Sequence, residues 1–268
     1  MSFLDLFANF FTHKDFLPPA NEIPGTMFTW LHFLFSAIVI AILVVCIYFA
    51  TKISDKAYKN VLIVLWVSLV IAEVVKILWE TFSGKQVDFF IQGMLPLYPC
   101  SLFMYTLPFI IFGKDIIRHA ACGYMCTLGI VGGLINFVYP ATILGSYSAI
   151  SFAGFHTFFY HGSMVFVAVT LLLRKWHSYT GIDSVKKYLV TPIPILLFSI
   201  PVNIVNFTLN ADYCFFKCES FILAPIGAAL PTPVTVILMY IFYILVALLP
   251  YTPSFIKNCK KQNKAIAD

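Results

Sequence analysis

The segment MFTWLHFLFSAIVIAILVVCIYFA, residues 27–50, contains no Asp, Glu, Lys or Arg and decides the class of fold. A helix of roughly 20 apolar residues crosses a lipid bilayer. This segment is apolar on every face, which is typical of a membrane span and not of a helix on the surface of a soluble protein. The whole chain has the same character, because 60% of its 268 residues are hydrophobic and only 11% are charged. The composition therefore indicates an integral membrane protein.

Seven segments are long and apolar enough to span a membrane: 27–50, 60–82, 95–112, 119–138, 153–173, 188–209 and 229–250. They are apolar throughout and do not alternate, so they predict helices and not the strands of a barrel. The predicted fold is all-α: a polytopic protein with seven transmembrane helices in one domain, residues 27–250. Residues 1–26 lack the basic start and cleavage site of a signal peptide. They predict either an amphipathic segment on the outer membrane surface or an unstructured terminus.

The distribution of basic residues predicts the orientation. Thirteen Lys and Arg residues fall in one set of connecting segments and three fall in the opposite set. Cytoplasmic loops collect Lys and Arg, so the N-terminus is predicted outside and the C-terminus inside, with residues 251–268 as a basic cytoplasmic tail. The predicted location is the cell membrane, crossed several times. The net charge of +5 needs no nucleic-acid partner, because lysines on the inner face meet anionic lipid.

With this orientation, six segments place their polar residues at one depth, near the outer surface. Polar side chains inside a membrane are costly and usually face a polar cavity. Each residue alone favours a structural role: a self-neutralising Glu–Lys pair, asparagines bonded between helices, or packed histidines. Together they predict an outward-facing cavity. Glu73 can meet Lys76, and Lys76 can meet Glu80, across one helix face. The candidate lining residues are His32, Glu73, Lys76, Tyr98, Cys100, His156, His161, Asn203, Asn206 and Asn210.

The cysteines and histidines show no metal-binding spacing. No CxxC pair, HExxH sequence or Cys/His cluster occurs, so neither a metal nor another cofactor is predicted. Cys214 and Cys218, in the last outer connection, remain open between free thiols and a disulfide that closes a very short ring.

The stretch LPLYPCS, residues 95–101, contains the most reactive candidate. Proline suits the first turn of a helix, so Pro99 predicts where the third helix begins and puts Cys100 in its first turn. The N–H groups and helix dipole there stabilise a thiolate, and also the oxyanion formed when a thiolate attacks an ester. Such a nucleophile needs a base, and three histidines, at 32, 156 and 161, have the right depth. On these physical grounds alone, a small packing residue is the favoured interpretation of Cys100.

The order of motifs resembles the YwaF-type family of bacterial integral membrane proteins. The resemblance covers residues 27–250 and rests on LHFLFS, IAEVVKILWETFSG, LPLYPCS, FHTFFYHG and VNIVNFTLNADY. That family is similar to a eukaryotic transmembrane acyltransferase that moves fatty acyl chains onto ether phospholipids. It is more distantly similar to androgen-induced membrane hydrolases of branched fatty-acid esters. The resemblance implies a Cys/His pair, which falls on Cys100 in LPLYPCS and His161 in FFYHG. The chain departs from the family at Tyr98-Pro99, where relatives often carry histidine, and at residues 210–213.

Three functional hypotheses follow. The first is a lipid acyltransferase or lipid-ester hydrolase with a membrane lipid or acyl-lipid substrate. Cys100 would attack the ester, His161 would move the proton, and Glu73 or the asparagines would orient that histidine. The second is a transporter or a membrane protein that binds lipids or other small molecules without covalent chemistry. The third is a structural or assembly protein. Protein partners are not predicted.

Overall fold

The computed structural model describes residues 3–85, 94–180 and 184–267, and within these ranges every regular element is helical. Parts of two predicted connections, residues 86–93 and 181–183, lie outside the described residues. The α-helices are α1 (Phe3–Ala8), α2 (Trp30–Lys52), α3 (Asp55–Ser83), α4 (Leu102–Phe112), α5 (Asp115–Tyr124), α6 (Ile130–Val138), α7 (Ala141–Leu144), α8 (Phe152–Leu173), α9 (Val185–Leu189), α10 (Ile193–Thr208), α11 (Ala224–Ala229), α12 (Thr232–Leu248) and α13 (Thr252–Ala267).

Among the described residues, six helical runs are long and apolar enough to cross a membrane: Trp30–Lys52, Asp55–Ser83, Asp115–Leu144, Phe152–Leu173, Val185–Thr208 and Thr232–Lys260. The predicted all-helical, multi-pass fold is therefore confirmed. The predicted third span is shorter than expected, since its apolar helical stretch covers only Pro99–Phe112. Two prolines, Pro96 and Pro99, keep the preceding residues out of a helix. The count of seven spans and the orientation stay predictions.

Side-chain caps define where the first two long helices begin. The Thr29 hydroxyl accepts from the His32 N–H at the start of α2, and the Ser54 hydroxyl accepts from the Ala57 N–H at the start of α3. Such caps satisfy N–H groups that have no partner within the helix. Many large apolar side chains on both helices are exposed, as Val44 is at 61%. Apolar surface of this extent suits contact with lipid.

The chain divides into two compact units. Unit 1 comprises Met1–Pro96 and Val131–Phe166. Its N-terminal segment packs onto the helices: the Trp79 indole N–H donates to the Phe11 carbonyl at 2.9 Å, and the Phe152 N–H donates to the Phe10 carbonyl at 2.9 Å. Residues 10–16 therefore have an ordered place in unit 1, which favours a structured segment over a floppy one.

An ion pair also ties this N-terminal segment to α3. The Nζ atom of Lys14 lies 3.7 Å from Oε1 of Glu80. The sequence predicted that Glu80 could meet Lys76, one helical turn away. Glu80 instead pairs with a lysine more than 60 residues distant, which spacing along one helix cannot reveal.

Unit 2 comprises Leu97–Ile130 and Val167–Asp268. Within it α4 packs on α5, and α10 packs on both. A π-helical segment, Met125–Gly129, follows α5 directly. The tyrosines at 58, 124, 213 and 251 are among the largest fully buried side chains of the chain, and the last three belong to this unit. The predicted tail is helical where it is described, as α13.

Candidate functional site

A buried ionic cluster lies in unit 1, where α3 meets α8. Glu73 is only 6% exposed. Its Oε1 lies 3.5 Å from Nζ of Lys76, and its Oε2 lies 3.1 Å from Nε2 of His156. The predicted burial and pairing of Glu73 with Lys76 are confirmed. The structure adds an imidazole, which the sequence placed at the same depth but not in contact. One carboxylate is therefore shared between an ammonium and an imidazole.

His161 lies one turn beyond Thr157 on α8 and is held in a defined orientation. Its Nδ1 lies 2.8 Å from the Thr157 carbonyl oxygen and 3.3 Å from the Thr157 hydroxyl. A carbonyl can only accept, so Nδ1 carries the proton and Nε2 carries the lone pair. The Thr157 hydroxyl in turn donates to Oδ1 of Asn136 at 3.3 Å. This arrangement leaves Nε2 as the ring nitrogen that can accept a proton.

Charges from the ionic cluster act on the same histidine. Glu73, Lys76 and His156 all interact electrostatically with His161. Tyr160 contacts both histidines, since its ring stacks on His156 with centroids 5.9 Å apart and meets His161 edge-on at 5.8 Å. Unit 1 thus brings four of the predicted site residues into one polar group inside apolar helices.

His32 has a structural role. It is fully buried, and its Nε2 lies 3.1 Å from the Phe137 carbonyl while its Nδ1 accepts from the Phe28 N–H at 3.2 Å. Both ring nitrogens are therefore used by the backbone, which leaves neither for a substrate or for base catalysis. The Ser36 hydroxyl shares the Phe137 carbonyl at 3.2 Å. His32 links α2 to the end of α6, and it does not join the candidate site.

Cys100 lies in unit 2, in the turn where the predicted third helix begins. Pro99–Ser101 form a single 3₁₀ turn that leads directly into α4, with Pro99 at its first position. The predicted start of the helix is confirmed. The Tyr124 hydroxyl donates to the Pro99 carbonyl at 2.6 Å, and the Cys214 thiol donates to the Leu97 carbonyl at 3.2 Å. Cys100 itself is partly exposed. Two side-chain hydrogen bonds therefore hold the backbone immediately before Cys100.

Tyr98, immediately before this turn, packs its ring against the rings of Tyr213 and Phe215, with centroids 5.3 and 5.5 Å away. All seven cysteines are free thiols, including Cys214 and Cys218. Among the described residues, no group of three or more His, Cys, Asp or Glu side chains is arranged to hold a metal ion.

The three asparagines of α10 and its end have three different partners in unit 2. Asn203 donates to the Tyr240 hydroxyl at 2.9 Å, and its buried Oδ1 has no hydrogen-bond partner within the described part of the chain. Asn206 bonds to both the N–H and the carbonyl of Tyr213. Asn210 accepts from the ammonium of Lys217. Asn203 therefore keeps a buried polar atom that no described residue bonds. The predicted cavity shared by these asparagines with His32 stays a prediction, as does the pairing of Cys100 with His161.

Unit 2 also contains a polar loop that is absent from the sequence-based predictions. Asp212 is 1% exposed, and its two carboxylate oxygens accept from the N–H groups of Lys217 and Glu219. The signal for it was present in the string NADYCFFKCE, where two acidic residues and a lysine interrupt an apolar region.

Comparison with known proteins identifies one family. The model of the TMEM164 family matches residues 27–251, which include every residue of the candidate site. The same comparison made with curated proteins gave no match. No solved structure matched either.

Proposed function

Because the chain belongs to the TMEM164 family of membrane proteins, we propose that it acts on membrane lipids as an acyltransferase or lipid-ester hydrolase. The observation that carries the proposal is His161, an imidazole of defined tautomer on the same helix as His156, which pairs with the buried carboxylate of Glu73. Buried ionisable groups within membrane helices are costly, and they mark functional sites. The resemblance of LPLYPCS and FFYHG to a Cys/His acyl-transfer pair supports the choice of chemistry.

The proposed reaction begins at Cys100. Its thiol sulfur attacks the carbonyl carbon of a lipid ester while Nε2 of His161 takes the thiol proton. The ester's C–O bond breaks, the leaving alcohol takes that proton, and the acyl group stays on Cys100 as a thioester. An acceptor alcohol then attacks the thioester in the transferase, and water attacks it in the hydrolase. In either case His161 accepts the nucleophile's proton and returns it to the cysteine sulfur.

The structure supports each partner of this reaction separately. The first turn of a helix directs unpaired N–H groups outward, and such groups stabilise the oxyanion of acyl transfer. Cys100 lies in a turn of this kind. The Thr157 carbonyl accepts from Nδ1 of His161, which leaves Nε2 as the acceptor nitrogen. The Thr157 hydroxyl in turn donates to the amide oxygen of Asn136. In the proposal, the carboxylate of Glu73 stabilises the imidazolium ion, Lys76 and His156 hold that carboxylate in place, and Tyr98 and Asn203 contact the substrate.

The proposed location is the cell membrane, with the N-terminus and the active groups near the outer surface. The excess of Lys and Arg in one set of connections supports it. The lipid substrate would then enter from the outer leaflet.

The test is turnover by the purified full chain in lipid nanodiscs that contain a phospholipid with a labelled acyl chain. Cys100→Ala and His161→Ala should each lower release or transfer of the labelled chain by at least about 100-fold, since base and nucleophile typically contribute 10²–10⁴-fold. Cys46→Ala is the matched control, because Cys46 is an exposed thiol on α2 and should keep full activity. Full turnover by Cys100→Ala would contradict the proposal.

A second function, binding or transport of a small molecule or lipid without covalent chemistry, is favoured by one observation. The ionic cluster of Glu73, Lys76 and His156 lies within unit 1 and needs no cysteine. In this function Glu73→Gln would abolish ligand binding, whereas Cys100→Ala would leave it unchanged. The two variants therefore separate the functions in one binding assay.

A further inference from the structure

The connection between α10 and α11 has an unusual backbone. In residues 210–219 (the 210–219 loop), four residues other than glycine have positive φ angles: Asn210 at 49°, Cys214 at 54°, Phe215 at 56° and Cys218 at 56°. Asn adopts this conformation readily, but a bulky side chain such as Phe does so rarely. Strained backbone of this kind persists only where the surroundings impose it, and it is concentrated at functional sites.

Three side chains impose the conformation. Asn206 binds the backbone of Tyr213 at 2.8 and 2.7 Å, and the Tyr243 hydroxyl donates to the Cys214 carbonyl at 2.7 Å. The Asp212 carboxylate stabilises the next turn, because it accepts hydrogen bonds from two backbone N–H groups at 2.8 and 2.9 Å. Gly227 on α11 approaches so closely that a Cβ atom there would lie 2.5 Å from the Cys218 carbonyl. The loop is therefore built to one shape.

This loop encloses a buried lysine whose hydrogen-bond partner is a neutral side chain. Lys217 is 7% exposed, and its Nζ donates to Oδ1 of Asn210 at 2.7 Å. An ammonium has three N–H donors, and Asn210 offers it one neutral acceptor. The Asp212 oxygens accept from backbone N–H groups, and among the described residues no carboxylate lies within 4 Å of the ammonium. A buried charge is costly unless it is paired, and an anion bound at the ammonium would pair it.

The surroundings indicate which anion reaches this lysine. Leu209 precedes the loop and is 44% exposed, and Ile222 follows it and is 76% exposed. Exposed apolar side chains on both sides suit the boundary between lipid tails and head groups. The loop lies at the end of a membrane-spanning helical run, Val185–Thr208. At that level the abundant anion is the phosphate of a lipid, and lysine binds phosphate as a point charge.

We propose that Lys217 anchors a phosphate-binding site in the 210–219 loop, and that its ligand is the phosphodiester of a phospholipid head group. The single negative charge of a phosphodiester balances the ammonium, and its two non-bridging oxygens accept the two remaining N–H donors. Free phosphate offers the same chemistry and is the other source of this ligand. Binding requires no acyl transfer, so the site goes beyond the proposed function and stands independently of Cys100.

The experiment measures thermal unfolding of the full chain in maltoside micelles during titration with three probes: dihexanoylphosphatidylcholine, dihexanoylglycerol and inorganic phosphate. A ligand of the native state raises the midpoint in proportion to its occupancy, so each titration yields a dissociation constant. The phospholipid should bind wild type at least about tenfold more tightly than the glycerolipid, which lacks phosphate, as expected for a charge-assisted hydrogen bond. Lys217→Gln should remove this difference. Lys85→Gln, at an exposed lysine of unit 1, should keep it.

The outcomes of these titrations either support or overturn the phosphate site at Lys217. Equal binding of phospholipid and glycerolipid by wild type overturns the proposal, and this comparison stands even where Lys217→Gln does not fold. An unchanged preference in a folded Lys217→Gln also overturns it. Inorganic phosphate that binds wild type as tightly as the phospholipid, and loses affinity in Lys217→Gln, supports the phosphate site and assigns it to the free anion. A folded chain that binds phosphate but neither transfers nor hydrolyses acyl groups refutes the proposed function alone.

Discussion

The ionic cluster of unit 1 permits a quantitative prediction about stability. Glu73 and Lys76 approach to 3.5 Å, with side chains 8% and 14% exposed. At an effective dielectric constant near 20, two unit charges at this distance attract by about 5 kcal/mol. Removing one partner of a buried pair costs about 3–5 kcal/mol because the other charge is left buried. Removing both charges costs much less, since no ion then remains to be desolvated.

The three variants differ because Glu73 has a second partner. In Glu73→Gln the ammonium of Lys76 loses its anion, so we expect a loss of about 3–5 kcal/mol. In Lys76→Met the carboxylate keeps His156 at 3.1 Å, so the loss should be smaller. The double variant should be more stable than either single variant. The order of stability is therefore wild type, double variant, Lys76→Met, Glu73→Gln.

The assay is reversible unfolding of the purified chain in mixed micelles with increasing dodecyl sulfate, analysed as a double-mutant cycle. The matched control is the pair Lys14–Glu80, separated by 3.7 Å, in which the lysine is 43% exposed. A pair of this exposure should show a coupling energy of only about 0–1 kcal/mol. Additive effects of Glu73→Gln and Lys76→Met, with no coupling beyond that of the control, would refute the reasoning.

Three further predictions concern other parts of the chain. Burial, reinforced by His119, lowers the pKa of His177 to about 3. In the unfolded chain His177 binds a proton near pH 6.5, whereas in the folded chain it binds one only at a much lower pH. Stability should be complete above that pH and fall by about 2 kcal/mol at pH 5, a loss that His177→Gln should remove in acid-unfolding curves. Asn206→Ala should cost about 2 kcal/mol, because the buried N–H and carbonyl of Tyr213 lose their partners; Asn206→Ala with wild-type stability would contradict the structural role. A tag added after residue 268 should be labelled only in permeabilised cells, and labelling in intact cells would refute the predicted orientation.

The helices were predictable because their signal is local. Residues 27–50 and 153–173 are mostly apolar and contain no Asp, Glu, Lys or Arg, and the structure has Trp30–Lys52 and Phe152–Leu173 there. Pro99 predicted the start of a helix because proline is tolerated in a first turn. The spacing of Glu73 and Lys76 predicted their contact, since residues three apart share a helix face.

The remaining contacts join residues that are distant in sequence or rest on backbone conformation. Glu73 meets His156, and His32 meets the carbonyl of Phe137, so neither pair has a periodic signal. The 210–219 loop has positive φ angles at Cys214 and Phe215, where the sequence contains no glycine that would indicate a turn. The π-helical turn at Met125–Gly129 lies in a run that reads as ordinary α-helix.

The most direct measurement of the central claim is the intact mass of the purified chain after incubation with a phospholipid of known acyl composition. We expect one added acyl chain, located on Cys100 by peptide mapping and removed by hydroxylamine as a thioester should be. The adduct should be absent in Cys100→Ala and retained in Cys46→Ala. Released acyl product with no adduct at any time, together with unchanged turnover in Cys100→Ala, would contradict covalent catalysis by this cysteine.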